Sequence, residues 1–275
     1  MKRVALLLPT LLPLVPAPPV SAQRPPDTVF LEELTWEEAR DLIGAGRTSA
    51  IIATAGTEQN GPHMVLGKHR YIIEYAADRI ARALGNALVA PVITYVPEGS
   101  WENPRGHMTK AGTITLPNDR FMTLLEHTAK SLKAGGFTDI IFIGDSGGNQ
   151  NGMRDVAARL NEEWKGTRHR AHFIGDYYTK SSADAQRYIT EQLGIPASDI
   201  GSHAGISDTS QLMFVNARHV RLDRRAPGGG DPDSGVSGDP TKASVQIGEV
   251  LMRIKIDNAV AQIRASLAAR EELMP

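Results

Sequence analysis

The chain has 275 residues, 41% hydrophobic and 22% charged, with a formal net charge of -1 and no cysteine. That length and apolar content can bury a sizeable core in one domain. The near-neutral balance, with no lysine or arginine run interleaved with aromatics, gives no electrostatic case for a nucleic-acid partner, and the lack of cysteine excludes disulfides and thiol catalysis. The chain opens on Met1-Lys2-Arg3, an apolar run over residues 4–20 and the small-residue site Val20-Ser21-Ala22, which is the pattern of a secretory signal. A membrane anchor is the weaker reading, because Pro9, Pro13, Pro16, Pro18 and Pro19 interrupt a stretch already short for spanning a bilayer. The expectation is a signal peptide over residues 1–22 and a mature chain from about Gln23, exported across a bacterial inner membrane to the periplasm or beyond, with no membrane contact once the signal is removed.

From there strand and helix signals alternate. Thr35-Trp36-Glu37-Glu38 is a capping box ahead of a helix that ends near Gly44 to Gly46. Residues 49–55 read as a buried strand, 71–84 as a helix, 87–96 and 113–116 as strands, and 118–133 as a helix closed by Gly135-Gly136. An apolar strand centred on Ile140-Ile141-Phe142-Ile143 follows, then a helix over 151–164, a strand over 171–175, a helix over 183–193 and a long helix from Thr241 to about Leu273. Such alternation predicts a mainly parallel sheet covered by helices on both faces. Residues 227–240, rich in glycine and aspartate, read as one long irregular segment: a lid, a subunit contact or a solvated loop.

Two loops carry the chemistry. The first strand runs into Thr57-Glu58-Gln59-Asn60-Gly61-Pro62-His63-Met64-Val65-Leu66-Gly67-Lys68-His69, and the Ile140 strand into Gly144-Asp145-Ser146-Gly147-Gly148-Asn149. In an open α/β sheet, ligands bind at the carboxyl ends of strands, where these loops would converge. Gly144-Asp145-Ser146-Gly147-Gly148 also fits a nucleophile elbow, with Ser146 attacking and His203 as its base. No phosphate-loop lysine follows the glycines, and no strand-linked G-x-G-x-x-G is present.

These residues resemble the creatininase (creatinine amidohydrolase) family, whose loops read approximately G-S-x-E-Q-H-G-P-H-L-P-L-x-T-D and G-H-G-G-N, with H-x-x-F-P-G-T and H-A-G-E-x-E-T-S elsewhere. The corresponding stretches here run from Gly56 to His69, from Asp145 to Asn149, from His107 to Thr113 and from His203 to Ser210. The resemblance implies a creatininase-like three-layer fold forming a single hydrolase domain over residues 23–275. It also implies self-association, since relatives form closed oligomers, and His203 as general acid/base. The family holds two divalent ions with the glutamate and histidine of E-Q-H, the aspartate of T-D, the G-H-G-G-N histidine and a further carboxylate. Here Glu58 is retained, but Asn60, His69 and Ser146 stand at three ligand positions. Neutral imidazole offers one lone pair where a carboxylate bridges two metals, so His69 argues against a binuclear centre.

Glu58, His69 and Asp145 would still form a mixed nitrogen and oxygen set for one zinc, manganese or iron ion. The alternatives are an Asp145 that only caps the next helix or binds the Gly147-Gly148 backbone, and a site without metal. Asn60, His107, Ser146, Asn149 and Asp208 are candidates for substrate binding, with a packing role as the alternative for His107, and for Asp208 a role as ligand, as a group that orients a ligand, or as a turn aspartate. Trp101 is either a pocket wall or a loop anchor. The expected activity is that of an exported metal-dependent amidohydrolase opening a non-peptide C–N bond in a small cyclic amide, with Glu58 and His203 catalytic. A lactonase or other C–O hydrolase, and a metal-free small-molecule binding protein, are the rivals.

Overall fold

The computed structural model describes residues 27–228 and 232–271; the signal reading over residues 1–22 lies outside them. Four parallel strands form the sheet, in the order β2-β1-β3-β4: β1 (Ser49–Thr54), β2 (Ala87–Val89), β3 (Asp139–Gly144) and β4 (Arg170–Phe173). Every residue of β1 and β3 is buried, which is why both read as unbroken apolar runs and not as alternation. Successive side chains still divide between two layers. Ile51, Ala53, Ile141 and Ile143 pack with α2 (Lys68–Leu84) and α8 (Val245–Glu271), while Ala50, Ile52, Ile140 and Phe142 pack with α3 (Asn118–Ala134) and α4 (Asn149–Glu163). The result is the expected three-layer α/β architecture with the sheet in the middle.

Ahead of β1, Thr35 and Glu38 close the capping box on α1 (Trp36–Gly44), as the sequence predicts. The strand expected over 87–96 is cut to three residues because Pro91 has no N–H for the ladder, although Ile93 still bridges to Thr54 beside β1. The stretch over 113–116 is a loop with one antiparallel bridge, Thr57 to Ile114. α5 (Thr179–Arg187) starts earlier than expected and runs on as one π-helical turn through Gln192. The last helix begins at Val245 because Asp239 caps a 3-10 turn over Pro240–Lys242 instead.

A short α6 (Ala197–Ile200) leads to α7 (Ile206–Asn216), which sequence periodicity did not reveal. It buries Thr209, Ser210 and Gln211 beside Ile206 and Leu212, so its inner face mixes polar and apolar side chains. Gly248 of α8 makes that possible: a β-carbon there would stand 1.9 Å from the Ser210 carbonyl oxygen, so the two backbones touch. Among the described residues no helix is long and apolar enough to cross a membrane.

Candidate active site

The loop after β1 folds back on itself. Glu58 N–H bonds the Leu66 carbonyl, and the fully buried Asn60 amide donates to the carbonyls of Glu58 at 2.9 Å and Val65 at 3.2 Å. With those inward-facing carbonyls satisfied, a polar loop can be buried. The loop delivers Glu58, only 3% exposed, to the floor of a cavity of about 760 Å³ at the carboxyl ends of β1 and β3.

Glu58 is the hub of the site. Its Oε1 lies 2.8 Å from His69 Nε2, 3.6 Å from His203 Nδ1 and 3.9 Å from Lys68 Nζ, and its Oε2 lies 3.5 Å from His107 Nε2. His69, at the start of α2, also places Nδ1 2.8 Å from Asp145 Oδ2. Burial and the neighbouring Lys68 oppose a charge on this ring, but hydrogen bonds to Asp145 and Glu58 prevail and raise its pKa to about 9. Both nitrogens therefore donate. Asp145 in turn accepts from Tyr177 at 3.0 Å and pairs with Lys255 of α8. Lys68 pairs with Asp208 at 3.0 Å, and burial of its ammonium is outweighed by Asp208 and Glu58, which raise its pKa. Asp208 also accepts the Ala204 N–H at 2.8 Å. Burial would raise the Glu58 and Asp145 carboxyls, yet these cations lower both below the usual range. Three cations, Lys68, His69 and Lys255, thus face three carboxylates, Glu58, Asp145 and Asp208.

A fourth carboxyl group, Glu98, shares this space. Gly56 makes room for it, since a β-carbon at position 56 would stand 2.0 Å from Glu98 Oε1. Burial, together with the hydrogen bond and charge of Glu58, pushes its pKa up to about 8, so it is protonated at neutral pH. Ser146 Oγ donates to it at 3.4 Å. His203 Nε2–H donates to the Gln59 carbonyl at 2.9 Å, and its ring lies against that of His107 at 4.4 Å between centroids. Burial and the Lys68 charge lower the His203 pKa to about 4, so the ring is neutral.

Of the residues singled out in the sequence, Glu58, His69, His107, Asp145, Ser146, His203 and Asp208 line the cavity. Asn60 and Asn149 do not. Asn60 staples its own loop, and Asn149 is fully buried with its amide on Thr54 Oγ1 at 3.0 Å, so both brace the site instead of meeting substrate. Asp145 is no helix cap: α4 is capped by Gly148, and the carboxylate is spent on His69, Tyr177 and Lys255. The hydroxyl of Ser146 points to Glu98 and not to His203, which does not match a nucleophile elbow. Trp101 is 57% exposed and outside the cavity lining.

Sequence reasoning missed Lys68, Glu98, Tyr177 and Lys255. Two had a signal. Lys68 opens a helix, where the macrodipole disfavours a cation, and Lys255 sits between Leu251 and Ala259 on the apolar stripe of α8.

The sequence model for creatinine amidohydrolase (creatininase) matches residues 32–263. This chain belongs to the creatininase family. It is 26% identical over 249 residues to a mycofactocin precursor peptide peptidase of Mycobacterium ulcerans (strain Agy99), covering 78% of this chain and 84% of that one. It is 25% identical over 203 residues to the creatinine amidohydrolase of Pseudomonas putida, covering 72% and 75%. The fold superposes on a creatininase crystal structure with a TM-score of 0.71 at 20% identity, over 91% of this chain and all of that one. A manganese form of creatininase superposes with a TM-score of 0.69 at 22% identity, over 90% of this chain and all of that one.

The ligand positions of the two-ion family pattern do not fit two ions in this creatininase-family chain. His69, hydrogen-bonded to Glu58 and Asp145 through both nitrogens, has no lone pair to offer, so the set of Glu58, His69 and Asp145 comes together as an ion-pair chain. At the other two changed positions, the Asn60 NH₂ is spent on carbonyls and the Ser146 hydroxyl on Glu98, and neither side chain is an imidazole. A different cluster fits one ion. Glu58 and His203 face each other there with His107 beside them, one side-chain oxygen or nitrogen of each lying within 4.8 Å of the others. Two ligand atoms each about 2.1 Å from a tetrahedral ion stand roughly 3.4 Å apart. Glu58 Oε1 and His203 Nδ1 are 3.6 Å apart, and that nitrogen is bare because Nε2 carries the proton given to Gln59.

Proposed function

We propose that this chain is an amidohydrolase that opens a C–N bond, using one divalent ion (zinc, manganese or iron) held by Glu58 and His203 with His107 beside them. The observation that carries this reading is the bare Nδ1 of His203 facing the Glu58 carboxylate at 3.6 Å on the cavity floor. Two acceptors repel each other unless a cation or a donor stands between them. When bound, the ion would supply carbonyl polarisation and a water activated at neutral pH.

The chain's own residues do the rest. His107 lines the cavity and presents Nε2 beside Glu58, where it can meet the substrate oxygen. Glu98 carries a proton at neutral pH and lines the same cavity, so it can deliver that proton to the leaving nitrogen. Lys68, His69 and Lys255 keep the carboxylates ionised and fixed in place. In this reading His203 binds the ion, in place of the acid/base role that the resemblance implies. A second reading keeps that role. Because Lys68 and His69 already balance the carboxylates, the pocket is stable without an ion, and His203 Nδ1 is then the base.

The substrate we propose is a small amide, with a cyclic amide or a short peptide as the two forms to compare. A cavity of about 760 Å³ takes more than one small ring. The relatives include a precursor-peptide peptidase as well as a creatinine amidohydrolase. The test is elemental analysis of the purified protein followed by assay against cyclic amides, short peptides and lactones. Stoichiometric metal and amide turnover that Glu58→Gln and His203→Ala both abolish support the single-ion reading. Turnover by a metal-free protein supports His203 as base, lactone turnover alone supports a C–O hydrolase, and ligand binding without turnover supports a binding protein. We also propose export and self-association; light scattering that shows only a monomer at micromolar concentration would reject the latter.

A further inference from the structure

We infer that Gln59 is a positioning residue that decides how the two cavity histidines meet Glu58, making His107 a hydrogen-bond donor and not a third metal ligand. The amide orientation of Gln59 is settled by its neighbours. Its Oε1 accepts the Gly61 N–H at 3.0 Å, so the end that faces His107 Nδ1 at 3.0 Å is the NH₂ group, which can only donate. His107 Nδ1 is therefore the acceptor, and the neutral ring keeps its proton on Nε2, pointing at Glu58 Oε2 3.5 Å away. The backbone carbonyl of the same residue takes the Nε2–H of His203, which leaves Nδ1 of that ring bare toward Glu58 Oε1.

Both rings thus hold the proton on Nε2, but because they point opposite ways, Glu58 meets a lone pair from one and an N–H from the other. Gln59 is braced for this work: Thr113 Oγ1 accepts its N–H at 3.1 Å and donates to the His107 carbonyl at 2.8 Å, tying both residues to one hydroxyl. Glu58, His107 and His203 come close enough to hold an ion together, but only Glu58 and His203 present lone pairs. A histidine that ligates a metal through Nε2 needs an acceptor at Nδ1, usually a carboxylate or carbonyl. Gln59 supplies the reverse. The consequence is a weakly held ion and a neutral N–H donor, 31% exposed to the cavity, aimed where a substrate oxygen would lie.

This inference rests on the single-ion reading above but is tested without turnover, so a failure to hydrolyse any substrate leaves it standing. The experiment uses the full chain with ¹⁵N-labelled histidine, the His107 signals being assigned by His107→Gln. Long-range ¹H–¹⁵N spectra should show His107 protonated at Nε2 and bare at Nδ1, both metal-free and after addition of zinc. Gln59→Glu offers an acceptor to Nδ1 while keeping one for Gly61; it should move the proton to Nδ1 and tighten zinc binding about 10- to 100-fold by calorimetry. Gln59→Leu removes the donor without adding charge and should tighten zinc severalfold, which separates the tautomer from simple charge. The inference is overturned if parent His107 carries its proton on Nδ1, or gives up its Nε2 proton to zinc. It is equally overturned if Gln59→Glu tightens zinc while the His107 tautomer and Gln59→Leu affinity stay unchanged, because charge alone would then explain the gain.

Discussion

At the residue scale, Lys68 shows how strongly this site depends on buried charge. Its ammonium is 1% exposed and holds Asp208 at 3.0 Å and Glu58 at 3.9 Å. Removing one partner of a buried pair strands the others, at a cost of about 3–5 kcal/mol. Lys68→Met should therefore lower the unfolding free energy read from urea titration by that amount, and adding Asp208→Asn should recover part of it. His63 adds a pH dependence. It is fully buried with Nε2 on Thr209, and burial together with the Arg225 charge lowers its pKa to about 4. The unfolded ring titrates near 6.5, so between those values the unfolded chain binds the extra proton and acid favours unfolding. Stability should fall as pH drops from 6.5 to 4, by roughly 3 kcal/mol for this group. Urea unfolding at several pH values should show a shallower acid loss in His63→Gln.

At the element scale, the contact between α7 and α8 holds His203 and Asp208 over the cavity. A side chain at position 248 would collide with the Ser210 carbonyl, so Gly248→Ala should push the helices apart. Overpacking of this kind costs about 1–3 kcal/mol, which calorimetry should read as a melting temperature lower by a few degrees. The same contact explains why α7 was invisible in the sequence. A helix that buries Thr209, Ser210 and Gln211 among Ile206 and Leu212 shows no clean apolar stripe, and the bare backbone of Gly248 opposite lets the two helices meet. β1 and β3 were legible because both faces are covered, and runs such as Ile140-Ile141-Phe142-Ile143 have no other stable place. Pro91 was the missed cue in the strand expected over 87–96.

At the scale of the whole molecule, the site stands at one end of the sheet, under α7 and beside α8, so residues from 58 to 255 meet in one cavity. The export proposal also belongs here. If residues 1–22 are a cleaved signal, mass spectrometry of periplasmic protein should find a chain beginning near Gln23; an intact Met1 would count against it.

The family, the alternation of strands and helices, the placing of Glu58 and Asp145 on loops at like ends of two strands, and the His203 motif were all readable from the chain alone. The reason is that hydrophobic period and loop chemistry are local properties, and ordered motifs survive changes in single residues. Which atoms meet was decided only in three dimensions. His69 looked like a ligand until Asp145 and Glu58 were seen to occupy both its nitrogens. Lys255 lies 110 residues from the Asp145 it neutralises, and Glu98 reaches Glu58 through the space left by Gly56. A lone pair is free or spent according to its neighbour, and these neighbours come from distant parts of the chain.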